Sequence, residues 1–268
     1  MKRRTLCWVV CVALCAVACK KTEKSSAVPS ANDILQKMNA REKVLSSFAI
    51  QVRTEDADMT VEHTLTFRAP NLLRADVTQP QKLVLSFDGQ NYYRLEEATG
   101  RLSIVSLQLP TMERKMALSM LMGALIPEGF QLPRMVLRNS KQSWLEAQGQ
   151  SRVLRMENPV SEGNESATIV YVVRWPSMDF LKKEIFVDGQ EQVAFVMQEE
   201  TCMPQGEVCL PTQIVAKHQE EALAPQKIKL LNFQQAVSNE HFVLQAPEGF
   251  STERHTLSSL SELQAFVP

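Results

Sequence analysis

Glycine and histidine are scarce in this sequence, which has nine glycines and four histidines among its 268 residues. It contains no G-x-S-x-G, no phosphate-binding loop and no G-x-G-x-x-G, so the patterns of common hydrolases and nucleotide-binding proteins are absent. The histidines at positions 63, 218, 241 and 255 are scattered, and none lies in H-x-x-x-H or near a cysteine pair. We therefore predict that the chain is not an enzyme, holds no metal and needs no cofactor.

The N-terminal apolar run, Leu6 to Ala18, has only 13 residues, whereas a membrane-spanning helix needs ~20. It follows the basic start Met1-Lys2-Arg3-Arg4 and ends Ala16-Val17-Ala18-Cys19, which is the pattern of a bacterial lipoprotein signal peptide. We predict a signal peptide over residues 1–18, lipidation of Cys19 and a flexible tether over residues 19–31. An ordinary secretory signal or a short anchor, with Cys19 incidental, is the alternative.

The chain lacks a strong excess of charge of either sign. Without the three basic residues of the predicted signal peptide, the 29 basic residues fall to 26 against 30 acidic ones, a net charge of −4. Nucleic-acid binding needs a concentrated basic face, so this class of function is disfavoured. The charge also gives the chain no electrostatic reason to lie on anionic lipid.

Cysteine is rare beyond Cys19, where only Cys202 and Cys209 occur. They bracket a Pro/Gly turn between two strand-like runs. Their C-x₆-C spacing, without further ligands nearby, fits no common zinc site and is not the C-x-x-C of redox proteins. A disulfide across a hairpin is sterically plausible and an exported protein permits it. We favour that disulfide over the alternative of two free thiols.

Residues Glu62 to Leu95 alternate apolar and polar side chains with a period of two, which predicts a meander of strands with two distinct faces. Pro70-Asn71 and Asp88-Gly89 supply turns. The same alternation recurs later in the chain, and hairpin signals rather than helices separate the strands, so we predict an antiparallel α+β protein.

Four further elements are predicted from local pattern. They are a helix from Ile34 to about Ser47 capped by Asn32-Asp33, a polar loop over Glu157 to Ser166, a closing strand at Phe242 to Leu244, and a weak helix or loose tail over Thr256 to Phe266.

A methionine- and leucine-rich helix is predicted from Thr111 to Ile126, closed by Pro127. Nearly every position after Lys115 is apolar or small, so no wide face of this helix suits water. It is either a plain core helix or a lid over a deformable apolar cavity, because thioether side chains adapt to variable ligands.

In order and local motif the sequence resembles the LolA/LolB family of outer-membrane lipoprotein carriers. The motifs that carry the resemblance are Phe67-Arg68-Ala69-Pro70 followed by Asn71-Leu72-Leu73-Arg74, then Asp88-Gly89 with Tyr92-Tyr93, then Phe186-Val187-Asp188-Gly189, and a closing stretch from Phe242 to Pro247. The resemblance covers roughly Asn32 to Phe250 and includes the helix that interrupts the sheet midway.

This resemblance implies an incomplete antiparallel β-barrel, a curved sheet of about eleven strands with helices covering its concave face, formed by a single domain over residues 32–268. It also implies a cavity that holds acyl chains. The residues expected to line it are Leu65, Phe67, Leu83, Leu85 and Phe87 of the sheet, with Met116, Met120 and Leu121 of the predicted helix. A shift of one residue in strand register would turn the opposite set inward.

Arg74 matches the arginine after the family's proline turn, and in the soluble carrier an inner arginine bonds to the lid helices and controls their opening. A surface arginine that pairs across strands with a neighbour such as Asp76 is the alternative.

As a function, the resemblance implies a monomeric, lipid-anchored protein of the bacterial cell envelope, at the outer membrane and facing the periplasm. Its expected partners are lipid acyl chains or lipoproteins, the membrane through its anchor, and other envelope transport proteins. A sensor or scaffold lipoprotein that uses the same fold without lipid cargo is the alternative, since fold alone does not determine function.

Overall fold

The structure, a computed structural model, describes residues 27–55, 58–110, 113, 125–133, 137, 139–145, 152–162, 165–203, 208–219, 221–234, 236–259 and 262. Cys19 lies outside the described residues, as do Met116, Met120, Leu121 and most of the predicted helix Thr111 to Ile126. Within the described part of the chain, no helix has the length and hydropathy needed to cross a membrane.

The described residues define the bounds of an α-helix, a 3₁₀ helix and fifteen strands. The helix α1 is Ala31–Val44 and the 3₁₀ helix is Asn239–Phe242. The strands are β1 Ser47–Glu55, β2 Thr60–Arg68, β3 Leu72–Gln79, β4 Leu83–Phe87, β5 Asn91–Glu96, β6 Arg101–Leu107, β7 Lys141–Leu145, β8 Arg152–Glu162, β9 Glu165–Trp175, β10 Asp179–Val187, β11 Gln190–Cys202, β12 Cys209–His218, β13 Glu221–Ala222, β14 Gln226–Phe233 and β15 Ser251–Leu257.

Helix α1 begins three residues before the predicted start at Ile34. Ser30 is its N-cap: the Ser30 hydroxyl accepts a hydrogen bond from the Asp33 backbone N–H at 3.2 Å, and the Asp33 carboxylate accepts one from the Ser30 backbone N–H at 2.9 Å. This reciprocal capping box satisfies two backbone donors that a helix leaves open. The predicted Asn32-Asp33 cap is wrong because Asp33 reaches back to Ser30 from inside the first turn.

The strands form one open, curved sheet in the order β15-β6-β5-β4-β3-β2-β1-β14-β12-β11-β10-β9-β8-β7, with β13 paired to β12. The two ends of this order do not pair, so among the described residues the barrel is incomplete, as predicted. The expected count of about eleven strands is too low. The fully antiparallel arrangement is also wrong at one edge, where β15 runs parallel to β6.

One face of the sheet, here called the inner face, packs against helix α1 and carries two apolar clusters. The first cluster is centred on β1 to β6 and includes Phe48, Ile50, Leu65, Phe67, Leu73, Leu85, Phe87, Tyr92 and Val105. The second cluster joins α1 to the other half of the sheet and includes Ile34, Met38, Leu154, Met156, Tyr171, Val173 and Phe180. Phe195 borders both clusters.

The other face, the outer face, is covered at β3 to β6 by the chain between β14 and β15. Leu244 packs with Tyr93 and Leu102, and the backbone carbonyl of Phe242 accepts a hydrogen bond from the Ser86 hydroxyl at 2.7 Å. The predicted strand at Phe242 to Leu244 is therefore wrong. Residues Phe242 to Leu244 pack on the outer face of the sheet and do not add a strand to its edge.

One predicted irregular region is a strand hairpin, and a second overlaps the end of a strand. Residues Glu157 to Ser166 lie mostly in the long hairpin of β8 and β9, in which Asn158 pairs with Ile169 and Val160 with Ala167. The ladder of backbone hydrogen bonds extends into this polar sequence because a sheet pairs main chains whatever the side chains are. The strand β15, Ser251–Leu257, includes the first two residues of the helix or tail predicted over Thr256 to Phe266. Most of that predicted segment lies outside the described residues.

Candidate functional site

The five sheet residues predicted to line a cavity all lie on the inner face. Leu65, Phe67, Leu85 and Phe87 are buried, and Leu83 is half-buried against them. Register explains why they meet, since Leu85 lies opposite Ala75 of β3, which lies opposite Leu65 of β2. Side chains at paired positions of neighbouring strands share a face.

The segment Leu125 to Leu132, here called the cover segment, lies over these side chains. The ring of Phe130 is buried, with its centroid 5.3 Å from that of Phe48. Ile126 and Leu125 pack on the same first cluster, and Leu132 packs on the second. The cover segment therefore spans both apolar clusters of the inner face.

Gly129 brings the backbone of the cover segment close to the sheet. Its φ is +85°, and a Cβ atom built on it would lie 2.7 Å from Cβ of Phe180. Only glycine fits such a close approach with a left-handed backbone. The middle of the cover segment is thus pressed against β10.

Arg41 of helix α1 holds the cover segment from one side. Its Nη2 donates a hydrogen bond to the Gly129 carbonyl at 2.6 Å and its Nη1 donates one to the Phe130 carbonyl at 3.0 Å. The side chain is buried, and this burial lowers the pKa of Arg41 to about 10, although the negative charge of Asp179 partly opposes the shift. The guanidinium is still charged at neutral pH, so both hydrogen bonds are charge-assisted.

Lys183 of β10 holds the cover segment from the sheet. Its ammonium forms an ion pair with the carboxylate of Glu128. It also lies over two aromatic rings, 5.9 Å from the centroid of Tyr171 and 5.2 Å from that of Phe195. Burial, and secondarily the charge of Glu128, raise the pKa of the Tyr171 hydroxyl. A positive charge is therefore fixed on the inner face at the border of the two clusters.

His63 of β2 contacts the start of the cover segment. Its ring forms a hydrogen bond with the backbone of Leu125, while its Nε2 is buried without a hydrogen-bond partner among the described residues. Burial lowers the pKa of His63, and the bond to Leu125 only partly opposes this. The neutral imidazole is thus the form that the folded chain favours near pH 7.

Arg74 lies on the outer face, away from the cover segment. Its guanidinium forms an ion pair with Asp76, with Nη2 2.8 Å from Oδ1, and its Nη1 donates a hydrogen bond to the His241 carbonyl at 3.1 Å. The pairing with Asp76 is the alternative that the sequence left open for this residue.

Cys202 and Cys209 are joined by a disulfide, at facing positions of β11 and β12. Val208 and Leu210, on either side of Cys209, are buried in the first apolar cluster. Glu200 lies near the two sulfurs, but the sulfurs are bonded to each other and Glu200 is paired with Arg174 at 2.9 Å. The group therefore offers no ligand set for a metal ion.

Arg41 and Lys183, which hold the cover segment, were not identified from the sequence. A signal for Arg41 existed, because Ile34, Met38, Arg41 and Leu45 follow helical spacing and only Arg41 is charged. Lys183 had a weaker signal. It directly follows Lys182 in a predicted strand, so the two side chains point to opposite faces, and only one of them can face water where the other face is buried.

Comparison with solved structures identifies the fold. A LolA superfamily protein from Nitrosomonas europaea superposes with a TM-score of 0.50 at 11% identity, covering 81% of this chain and 99% of that one. A domain proposed to sort outer membrane lipoproteins, from Vibrio parahaemolyticus, gives a TM-score of 0.46 at 11% identity, covering 80% and 97%. Comparisons with protein-family models and with curated proteins give no match. The chain has a LolA-like fold, which confirms the resemblance seen in the sequence at the level of fold.

Proposed function

We propose that this protein binds acyl chains of lipids or lipoproteins on its inner face, as a carrier or acceptor in the bacterial cell envelope. The observation that carries the proposal is how the apolar inner face is closed. Helix α1 and the short cover segment lie on it, and no second sheet packs there among the described residues. Polar side chains from α1, β2 and β10 hold that segment in place.

Burial of an acyl chain on the inner face opposes the free-energy cost of lifting the cover segment. Each CH₂ group buried from water contributes about 0.8 kcal/mol, so a chain of about twelve carbons supplies on the order of 9 kcal/mol before the costs of binding. Lifting the cover segment re-exposes Phe130 and separates the contacts of Arg41, Lys183 and His63. Fully exposing one buried aromatic side chain costs about 2–3 kcal/mol. The hydrogen bonds of Arg41 and the burial of Leu125, Ile126 and Leu132 add to this cost, so the burial of an acyl chain and the opening of the cover segment are of the same order.

A scaffold or sensor without lipid cargo is the second candidate, and one observation favours it. Leu65, Phe67, Leu85 and Phe87 are already packed against the protein's own side chains. On this alternative the inner face is an ordinary core and the cover segment stays closed. We propose no enzymatic activity for either candidate.

Lipid that co-purifies with the chain tests the binding proposal. We expect the full chain with Cys19→Ser, purified without detergent from a membrane-containing host, to carry acyl-chain species in native mass spectrometry at about one per chain. The apolar surface that closes over them would keep them bound through purification. A chain that carries none, and that takes up no added acyl compound, would overturn the proposal and favour the scaffold.

We also propose that Cys19 carries a lipid anchor and that the protein faces the periplasm at the outer membrane. In cells fed an alkyne-tagged fatty acid, we expect the full chain to be labelled and Cys19→Ser to abolish the label. Cys15→Ser, in the predicted signal peptide, is the matched control and should keep it. Labelling that survives Cys19→Ser would show that the acyl group is attached elsewhere, and a full chain without label would show that it carries no such anchor.

A further inference from the structure

Lys183 is a cation in an unusual place, on the inner face between two apolar clusters. Its neighbours on the adjacent strands are Tyr171 and Phe195, whose rings lie beneath its ammonium group. Its side chain is 16% exposed, whereas that of Lys182, the preceding residue on the outer face, is 34% exposed and pairs with Glu184 at 2.6 Å. An ammonium held partly out of water is costly unless a negative charge meets it.

Glu128 supplies that negative charge, and it belongs to the cover segment. The carboxylate that neutralises Lys183 therefore leaves whenever the cover segment lifts to admit a ligand. The open inner face would then present the uncompensated ammonium of Lys183 at the border of its two clusters. The guanidinium of Arg41 would also lose its two carbonyl partners, but it keeps the nearby negative charge of Asp179. A ligand made only of hydrocarbon would leave this charge unpaired.

We propose that the cargo is an acyl chain that ends in a carboxylate, and that this carboxylate replaces Glu128 as the partner of Lys183. The proposal rests on the proposed function, because it names the ligand class of the same site. Glu128 shows that the ammonium accommodates a carboxylate at the end of an alkyl stem. Exchange of one carboxylate for another keeps the ammonium paired with the cover open, so ligand binding and cover release are coupled.

Paired ligands that differ only in the head group provide the test. Calorimetry at pH 8 with the full chain carrying Cys19→Ser compares dodecanoate with dodecan-1-ol. We expect dodecanoate to bind more tightly. Lys183→Met should lower the ratio of the dodecanoate affinity to the dodecan-1-ol affinity about tenfold or more, because the carboxylate loses its partner while the easier opening of the cover segment helps both ligands alike. Lys182→Met, the matched control, should change neither.

Glu128→Gln removes the competing carboxylate but keeps the shape of the side chain. It should strengthen the binding of both ligands severalfold, because opening no longer breaks the ion pair, and it should keep the preference for dodecanoate. Lys183→Arg should retain that preference as well. These two variants keep the test decisive if Lys183→Met does not fold. Equal binding of both ligands, unaffected by Glu128→Gln, would overturn this inference alone. No binding of either ligand would overturn the proposed function with it.

Discussion

Replacing Arg41 by alanine should lower the free energy of unfolding by about 3–4 kcal/mol, measured by urea denaturation. Its guanidinium donates to the carbonyls of Gly129 and Phe130 inside the protein. Without it, both carbonyls are buried with one donor fewer, and each charge-assisted bond is worth about 1.5–3 kcal/mol. The lowered pKa of Arg41 shows that burying the charge itself opposes folding, so the loss stays below the sum of the two bonds.

Three companion variants separate the causes of that loss. Arg41→Met keeps the packed stem, so it should cost less than alanine, about 2 kcal/mol. Arg41→Lys keeps the charge but lacks the planar fork that reaches two carbonyls, so it should restore only part of the stability. Lys43→Ala, an exposed position on the same helix, should change stability by about 0.5 kcal/mol or less. If Arg41→Ala behaves like Lys43→Ala, Arg41 does not hold the cover segment.

Substitution of Arg41 also distinguishes the two candidate functions through its effect on ligand affinity. If the cover segment opens before the sheet unfolds, Arg41→Met should raise the affinity for acyl ligands, because less free energy is spent in opening. If the inner face is an ordinary core, the variant only loses stability. The two candidate functions thus predict different behaviour of one variant.

The sequence predicts the first half of the sheet well and the closing parts poorly, for a physical reason. From Glu62 to Leu107 each strand alternates and each turn has its own residues, so local chemistry determines the structure. The strand β15 pairs with β6 across some 150 residues, and Ser251–Leu257 is mostly polar. Nothing in such a stretch indicates its partner, because edge strands are held by main-chain hydrogen bonds.

The candidate site was likewise predicted only in part from the sequence. Period-two alternation placed the apolar side chains of the inner face on one side of the sheet, but it could not show what covers them. The bonds of Arg41 to the cover segment join residues 88 and 89 apart in sequence. Such contacts are made by the tertiary fold, so a local pattern indicates at most that a charge occupies a buried position.

Gly129→Ala should cost about 3 kcal/mol or more, the second large effect that the structure predicts. The added Cβ would meet Cβ, Cγ and Cδ1 of Phe180 at 2.7–2.9 Å while the backbone keeps a φ of +85°. Phe180 is buried in the second apolar cluster and cannot move aside without disturbing it. The measurement is again the free energy of unfolding from urea denaturation.

Gly189→Ala is the matched control, because Gly189 has a φ of +80° and nothing within 4 Å of its added Cβ. It carries the backbone strain without the clash, so it should cost about 1 kcal/mol. The difference between the two variants isolates the contact with Phe180.

If the cover segment is a separate unit, the clash in Gly129→Ala displaces this segment and leaves the sheet intact. Gly129→Ala should then bind a hydrophobic dye while keeping its far-ultraviolet circular dichroism. Equal costs for both variants would mean that the cover segment is not pressed against β10, and the coupling of Glu128 release to ligand entry would lose its structural basis.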